Sequence, residues 1–204
     1  MKFKFGFPSE PDSMLDGARR LALPIKKTYI VATAIGSFIM LPLFYGMWRM
    51  RWSNDVIFGM FKADTILPLL SAMFVTVIAH EFCHLVMHPF CGLTDKSYVG
   101  LDKKTGLVYA QYLGVVSKMH FTAIGAAPLV IGTIISLWLA STMPEWASWL
   151  ALASIFNAVG AGGDVYILAV AWREVPAQMS LQGHRFGKKP HRTWRSAIKK
   201  ESEG

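Results

Sequence analysis

Charge is scarce in this sequence. Only 17% of the 204 residues are Asp, Glu, Lys or Arg, against roughly a quarter in an ordinary soluble domain. Four long stretches are nearly free of them. With 53% hydrophobic residues and a mean hydropathy of +0.36, this excludes a soluble globular domain and describes a polytopic membrane protein. Cysteine is nearly absent as well. Cys83 and Cys91 are too few for a disulfide framework, and a reduced, cytosol-facing pair is expected. A short cleavable leader is not expected, because the first apolar run begins near Thr28 and is too long for one; it is expected to act as an uncleaved anchor. The length allows one domain of a few helices.

Acidic residues are outnumbered 13 to 21 by Lys and Arg, for a formal net charge of +8. No nucleic-acid recognition motif accompanies that charge, so no nucleic-acid partner is expected. Retention of Lys and Arg on the cytoplasmic face of a membrane explains it instead, which makes the lipid bilayer the expected partner.

Four spans can be read at about 28–48, 65–87, 121–144 and 146–172. Each is long enough to cross a bilayer at ~1.5 Å per residue. The third and fourth are joined by Met143-Pro144-Glu145 and should be antiparallel neighbours. Residues 92–117 alternate polar and apolar around Asp102-Lys103-Lys104-Thr105-Gly106 and predict a β-hairpin. Residues 1–27 read as an amphipathic cytoplasmic segment. Residues 173–204 read as a basic cytoplasmic tail, weakly ordered or lying on the membrane surface. The predicted fold class is therefore an all-α polytopic membrane protein of four transmembrane helices, with a short β-hairpin between the second and third. Eighteen of the twenty-one Lys and Arg fall on one side of that arrangement, so both termini are expected to be cytoplasmic.

The chemistry is concentrated in His80-Glu81-Phe82-Cys83-His84. Histidines four residues apart project from one helix face, and that spacing lets two neutral imidazoles bind one Zn²⁺ at ~2.0–2.1 Å each. Glu81, next to the first ligand, can reach an attacking water as general base without binding the metal. Ionisable groups inside a span cost ~2.5–3.5 kcal/mol each at mid-helix and default to a functional reading; the alternative is a histidine pair bonded to neighbouring helices.

A catalytic zinc usually takes three protein ligands and keeps one position open. Asp164 is the expected third. It lies 18 residues into the fourth span from Trp146, and His80 lies 16 residues into the second from Asp64, both roughly 24–27 Å from the outer end. They should meet near the cytoplasmic face. Gly160-Ala161-Gly162-Gly163 would loosen the helix and let backbones approach, or serve simple helix packing. Asn157, two turns before Asp164, is a candidate to orient substrate or donate to an oxyanion, or merely to bridge helices. His88 continues the histidine stripe, but Pro89 pulls it out of helical geometry. It and His120 are weaker ligand candidates, and Cys83 is expected to pack.

These residues resemble the site-2 protease clan of intramembrane zinc proteases and, more specifically, the bacterial "putative zincin peptidase" family of short membrane proteins. The resemblance rests on the histidine motif, on Ala126-Ala127-Pro128 and on Asn157 through Gly162-Gly163-Asp164, together roughly residues 65–170. Two departures stand out: the Asn157 segment has no proline, and Val165 follows Asp164 where site-2 proteases carry glycine. The resemblance implies zinc held by His80, His84 and Asp164, with Glu81 as base activating a water. It implies cleavage of a membrane-embedded or membrane-adjacent protein or peptide, and residence in a bacterial inner membrane. The alternative is a non-proteolytic membrane metal-binding or transport protein. A transporter would string polar residues along a path, whereas here they cluster at one depth.

Overall fold

The computed structural model describes residues 1–9, 12–62, 66–103, 106 and 108–189. Asp64 and Thr65 at the start of the second expected span, Lys104 and Thr105 of the expected turn, and the tail beyond residue 189 lie outside them. The elements run β1 (Lys2–Phe5), β2 (Asp16–Arg20), α1 (Ile25–Ile35), α2 (Leu41–Arg49), α3 (Asn54–Ile57) and α4 (Leu67–Met87). They continue with β3 (Ser97–Leu101), β4 (Val108–Tyr112), β5 (Val115–Ser117), α5 (Lys118–Thr142), α6 (Ala147–Gly160), α7 (Gly162–Glu174), β6 (Ser180–Gln182) and β7 (Arg185–Lys188).

Among the described residues, four helical stretches are long and apolar enough to cross a membrane: Ile25–Arg49, Leu67–Met87, Lys118–Thr142 and Pro144–Glu174. The first is α1 and α2 joined by a π-helical turn at Gly36–Met40, just before Pro42, whose missing N–H interrupts the regular ladder. The second carries Pro68 in its first turn, where no amide donor is needed. It stops at His88, whose ψ of 152° is extended because Pro89 disfavours helical backbone before it. The fourth is broken at Ala161 into α6 and α7.

The expectation of an all-α protein with one hairpin needs correcting, because two sheets are present among the described residues. One has the order β1-β3-β4 and the other β2-β7-β6-β5. The hairpin is β3 against antiparallel β4, with Ser97 opposite Tyr112 and Leu101 opposite Val108. The amino-terminal segment adds β1 parallel to β3, and residues 180–188 of the tail fold back as β6 and β7. These strands are three to five residues long and leave little alternation to read. Their pairing comes from neighbours distant in sequence, which local patterning does not register.

Both sheets sit where α1 begins, α4 ends, α5 begins and α7 ends. Leu21, Val116, Val170, Leu181 and Phe186 form the core that joins the second sheet to the helices. Lys118, buried at that junction, donates to the carbonyls of Trp172 and Val175 at 3.0 and 2.7 Å. It thereby caps the carbonyl end of α7. A second core around Trp48, Ile57, Ala140, Ala147 and Ala151 closes the opposite end.

The first and fourth stretches touch backbone to backbone. A Cβ on Gly36 would lie 2.5 Å from the Val159 carbonyl oxygen, and one on Gly162 would run into the Ala32 carbonyl oxygen. A Cβ on Gly160 would meet nothing within 4 Å. Gly162→Ala should therefore destabilise the bundle by about 1–3 kcal/mol. Gly160→Ala should leave stability unchanged or raise it by up to about 1 kcal/mol. Thermal unfolding in detergent micelles separates the two.

Candidate metal centre

His80 and His84 share one face of α4 and meet Asp164 in the first turn of α7, where the positive end of the helix dipole favours a carboxylate. His80 Nε2 is 3.1 Å from Asp164 Oδ2, and His84 Nε2 is 3.5 Å from Asp164 Oδ1. One ligand atom from each residue lies within 4.8 Å of the others. Tetrahedral ligands at ~2.0–2.2 Å from a zinc ion stand ~3.3–3.6 Å apart, so the two histidine–aspartate separations are close to those such an ion requires.

The other ring nitrogens fix the tautomers. His84 Nδ1 is 2.8 Å from the Ile124 carbonyl oxygen, which only accepts, so Nδ1 carries the proton. That carbonyl is available because its helical donor would be residue 128, and Pro128 has no N–H. His80 Nδ1 is 2.9 Å from Asn157 Oδ1. The amide's orientation is set by its Nδ2, which donates to the Pro128 carbonyl at 2.7 Å. Both Nε2 lone pairs thus face a carboxylate. Two lone pairs and an anion converging at this range repel unless a metal ion or a proton sits among them; the donor set fits a metal, with further bonds on the other ring nitrogens of the kind that orient histidine ligands.

Glu81 stands apart from this convergence. Its Oε2 accepts a 2.6 Å hydrogen bond from the Ala110 N–H. Ala110 lies opposite Val99 in the β3–β4 ladder, and its N–H turns away from β3 toward α4. Two cavities flank the centre. One of about 280 Å³ is lined by His80, Glu81, Val108 and Asn157. The other, about 230 Å³, is lined by His84, Asp164 and residues 109–112 of β4.

Of the residues named from the sequence, His80, His84 and Asp164 converge and Glu81 and Asn157 lie beside them. Asn157 has both ends of its amide committed to His80 and Pro128, an outer-shell position. His120 Nε2 bonds the Met87 carbonyl at 2.8 Å and lies outside the ligand set, as does His88. Two contributors escaped the sequence reading. The Ala110 amide carries no sequence signal. The Ile124 carbonyl does carry one, since a proline four residues on inside an apolar helix releases it.

The putative zincin peptidase family matches residues 73–179, more than half of the chain. The protein belongs to this family. Membership implies a zinc metallopeptidase, and His80, His84 and Asp164 form a possible site for that zinc. No curated protein and no solved structure matches the chain.

Proposed function

We propose that this protein is an intramembrane zinc metalloprotease of the site-2 type. It hydrolyses peptide bonds of membrane-embedded or membrane-adjacent substrates, with His80, His84 and Asp164 as zinc ligands and Glu81 as general base. The observation that carries this reading is the meeting of two Nε2 atoms and one carboxylate beside a glutamate that is not part of the ligand set, on helices long and apolar enough to span a membrane. A purely structural site has no use for Glu81.

A zinc ion held there supplies a Lewis acid for a carbonyl oxygen and makes a water acidic enough to ionise near neutral pH. Glu81 takes the proton of the attacking water on its carboxylate. As oxygen adds to the scissile carbon and the C–N bond breaks, Glu81 returns that proton to the leaving nitrogen. Asn157 and the Ile124 carbonyl act as positioning groups, holding the two imidazoles so that neither ring turns its N–H toward the substrate.

A helical substrate has its carbonyls bonded internally and must unwind first. The outer edge of β4, unpaired with any strand among the described residues, suits an extended peptide added as a further strand. Such a peptide competes with Glu81 for the Ala110 N–H and releases the carboxylate toward the reacting atoms. The end bearing both sheets carries most of the Lys and Arg, which supports a cytoplasmic placement of that end and of both termini, in a bacterial inner membrane.

The test is metal removal. The full chain in proteoliposomes, given a transmembrane peptide, should lose cleavage after dialysis against a chelator and regain it with one zinc per chain. Cleavage that survives removal of the metal overturns the reading. Zinc movement across the vesicle without cleavage would favour the transport alternative.

A further inference from the structure

The larger question about this site is what it selects, and His88 bears on it. The residue is 2% exposed and lines the cavity of about 230 Å³ that also borders His84 and Asp164. His80, His84 and His120 each have a hydrogen-bond partner. Neither Nδ1 nor Nε2 of His88 has one among the described residues. Its ring rests against that of Tyr112, with centroids 5.4 Å apart, and Phe121, Ile124 and Leu168 supply apolar wall. Burial, together with the nearby His84 and His120, pushes its pKa down to about 4, so the ring is neutral and offers one N–H and one lone pair.

A buried polar group without partners is costly and uncommon in a finished fold. The position of this one indicates what it is for. Extended backbone at His88, forced by Pro89, takes the side chain off the ligand stripe and into the cavity. Its Cα is one helical turn beyond His84, ~6 Å along the axis. That is too far for the reacting carbonyl, but it equals one or two residues of extended peptide at ~3.3–3.6 Å each. The peptide edge of β4 runs along the same cavity through Tyr109, Gln111 and Tyr112.

We propose that this cavity receives the side chain of a substrate residue beside the scissile bond, and that His88 selects an uncharged hydrogen-bonding tip over a hydrocarbon of similar size. The inference rests on the peptidase reading above. A hydrocarbon tip would leave both ring nitrogens unpaired on closure of the site. A charged tip would lose its hydration in a cavity whose lining is mostly apolar outside His84 and Asp164, the residues assigned to the zinc, and the neighbouring Gln111 and His184. Sites built to hydrogen-bond a substrate group discriminate far more sharply than apolar pockets do.

The probes are two sets of fluorescein-labelled decapeptides, alanine at all positions but one, with Gln or Leu placed at each position in turn. Cleavage is measured with the zinc-loaded full chain, and binding by fluorescence anisotropy with zinc-loaded Glu81→Gln protein. At one position Gln should be preferred over Leu by at least about tenfold in kcat/KM, and binding should follow the same order. His88→Leu should abolish or invert that ratio with zinc content unchanged, and His88→Gln should keep its direction. Equal handling of Gln and Leu at every position, or an unchanged ratio in His88→Leu, overturns the pocket assignment and leaves the peptidase reading standing. No cleavage of any decapeptide or of the transmembrane peptide in proteoliposomes, with His88-dependent preference persisting in binding, overturns the peptidase reading and keeps the pocket. Loss of both cleavage and preference overturns both.

Discussion

Glu81→Gln protein should bind about one zinc per chain and hydrolyse peptide bonds about 10²–10⁴-fold more slowly than the native chain, the range typical of a lost general acid–base. The zinc should stay because the convergent ligand atoms belong to His80, His84 and Asp164, and Glu81 is not among them. The fold should hold as well. Glutamine is isosteric, and its carbonyl oxygen can still accept the 2.6 Å bond from the Ala110 N–H. In the proposed mechanism, what disappears is the ability to take a proton from water and deliver it to the leaving nitrogen. Zinc by atomic absorption and turnover in the same preparation decide the matter. Full turnover with the variant would remove Glu81 from the mechanism, and loss of zinc would make it a ligand.

Asp164→Asn should do the opposite, sparing the fold and losing the metal. The amide fills the same space in the first turn of α7, so thermal stability in the absence of zinc should change little. The carboxylate that faces both Nε2 atoms at 3.1 and 3.5 Å becomes a neutral and much weaker donor. Zinc affinity should fall by more than the ~10–100-fold that accompanies loss of an outer-shell partner. Asn157→Leu, which removes the acceptor holding His80 Nδ1, should fall within that smaller range. Competition with a chromogenic chelator measures both. Stoichiometric zinc binding by Asp164→Asn at native affinity would strike Asp164 from the ligand set.

The contrast between these variants follows the boundary between local and long-range information in the chain. That His80 and His84 share a face depends only on the 3.6-residue period of a helix, and four apolar runs announce four helices by composition alone. Asp164 could be matched to His80 by depth because helical rise is constant. The second partners of the two imidazoles were a different matter. The Ile124 carbonyl is set free by Pro128 within α5, yet only the packing of α5 on α4 brings it to His84. The strands β1, β2, β6 and β7 were unreadable for the same reason. Each is a few residues long and acquires its partner from far along the chain, so its hydrogen bonds exist only once the helices have assembled.

His88 shows both sides of that boundary. Pro89 was enough to say that it leaves the helical stripe. Only the tertiary structure could show where the freed side chain goes, into a mostly apolar cavity with neither ring nitrogen paired among the described residues. The amino-acid sequence by itself determined the shared helix face of His80 and His84, the apolar spans and the depth at which Asp164 would be met, because all three follow from local helical geometry and hydrophobicity. The bond from Ala110 to Glu81, the release of the Ile124 carbonyl toward His84 and the two sheets were decided by tertiary structure. Each joins segments whose contact depends on how the helices pack, and no periodicity along the chain encodes that.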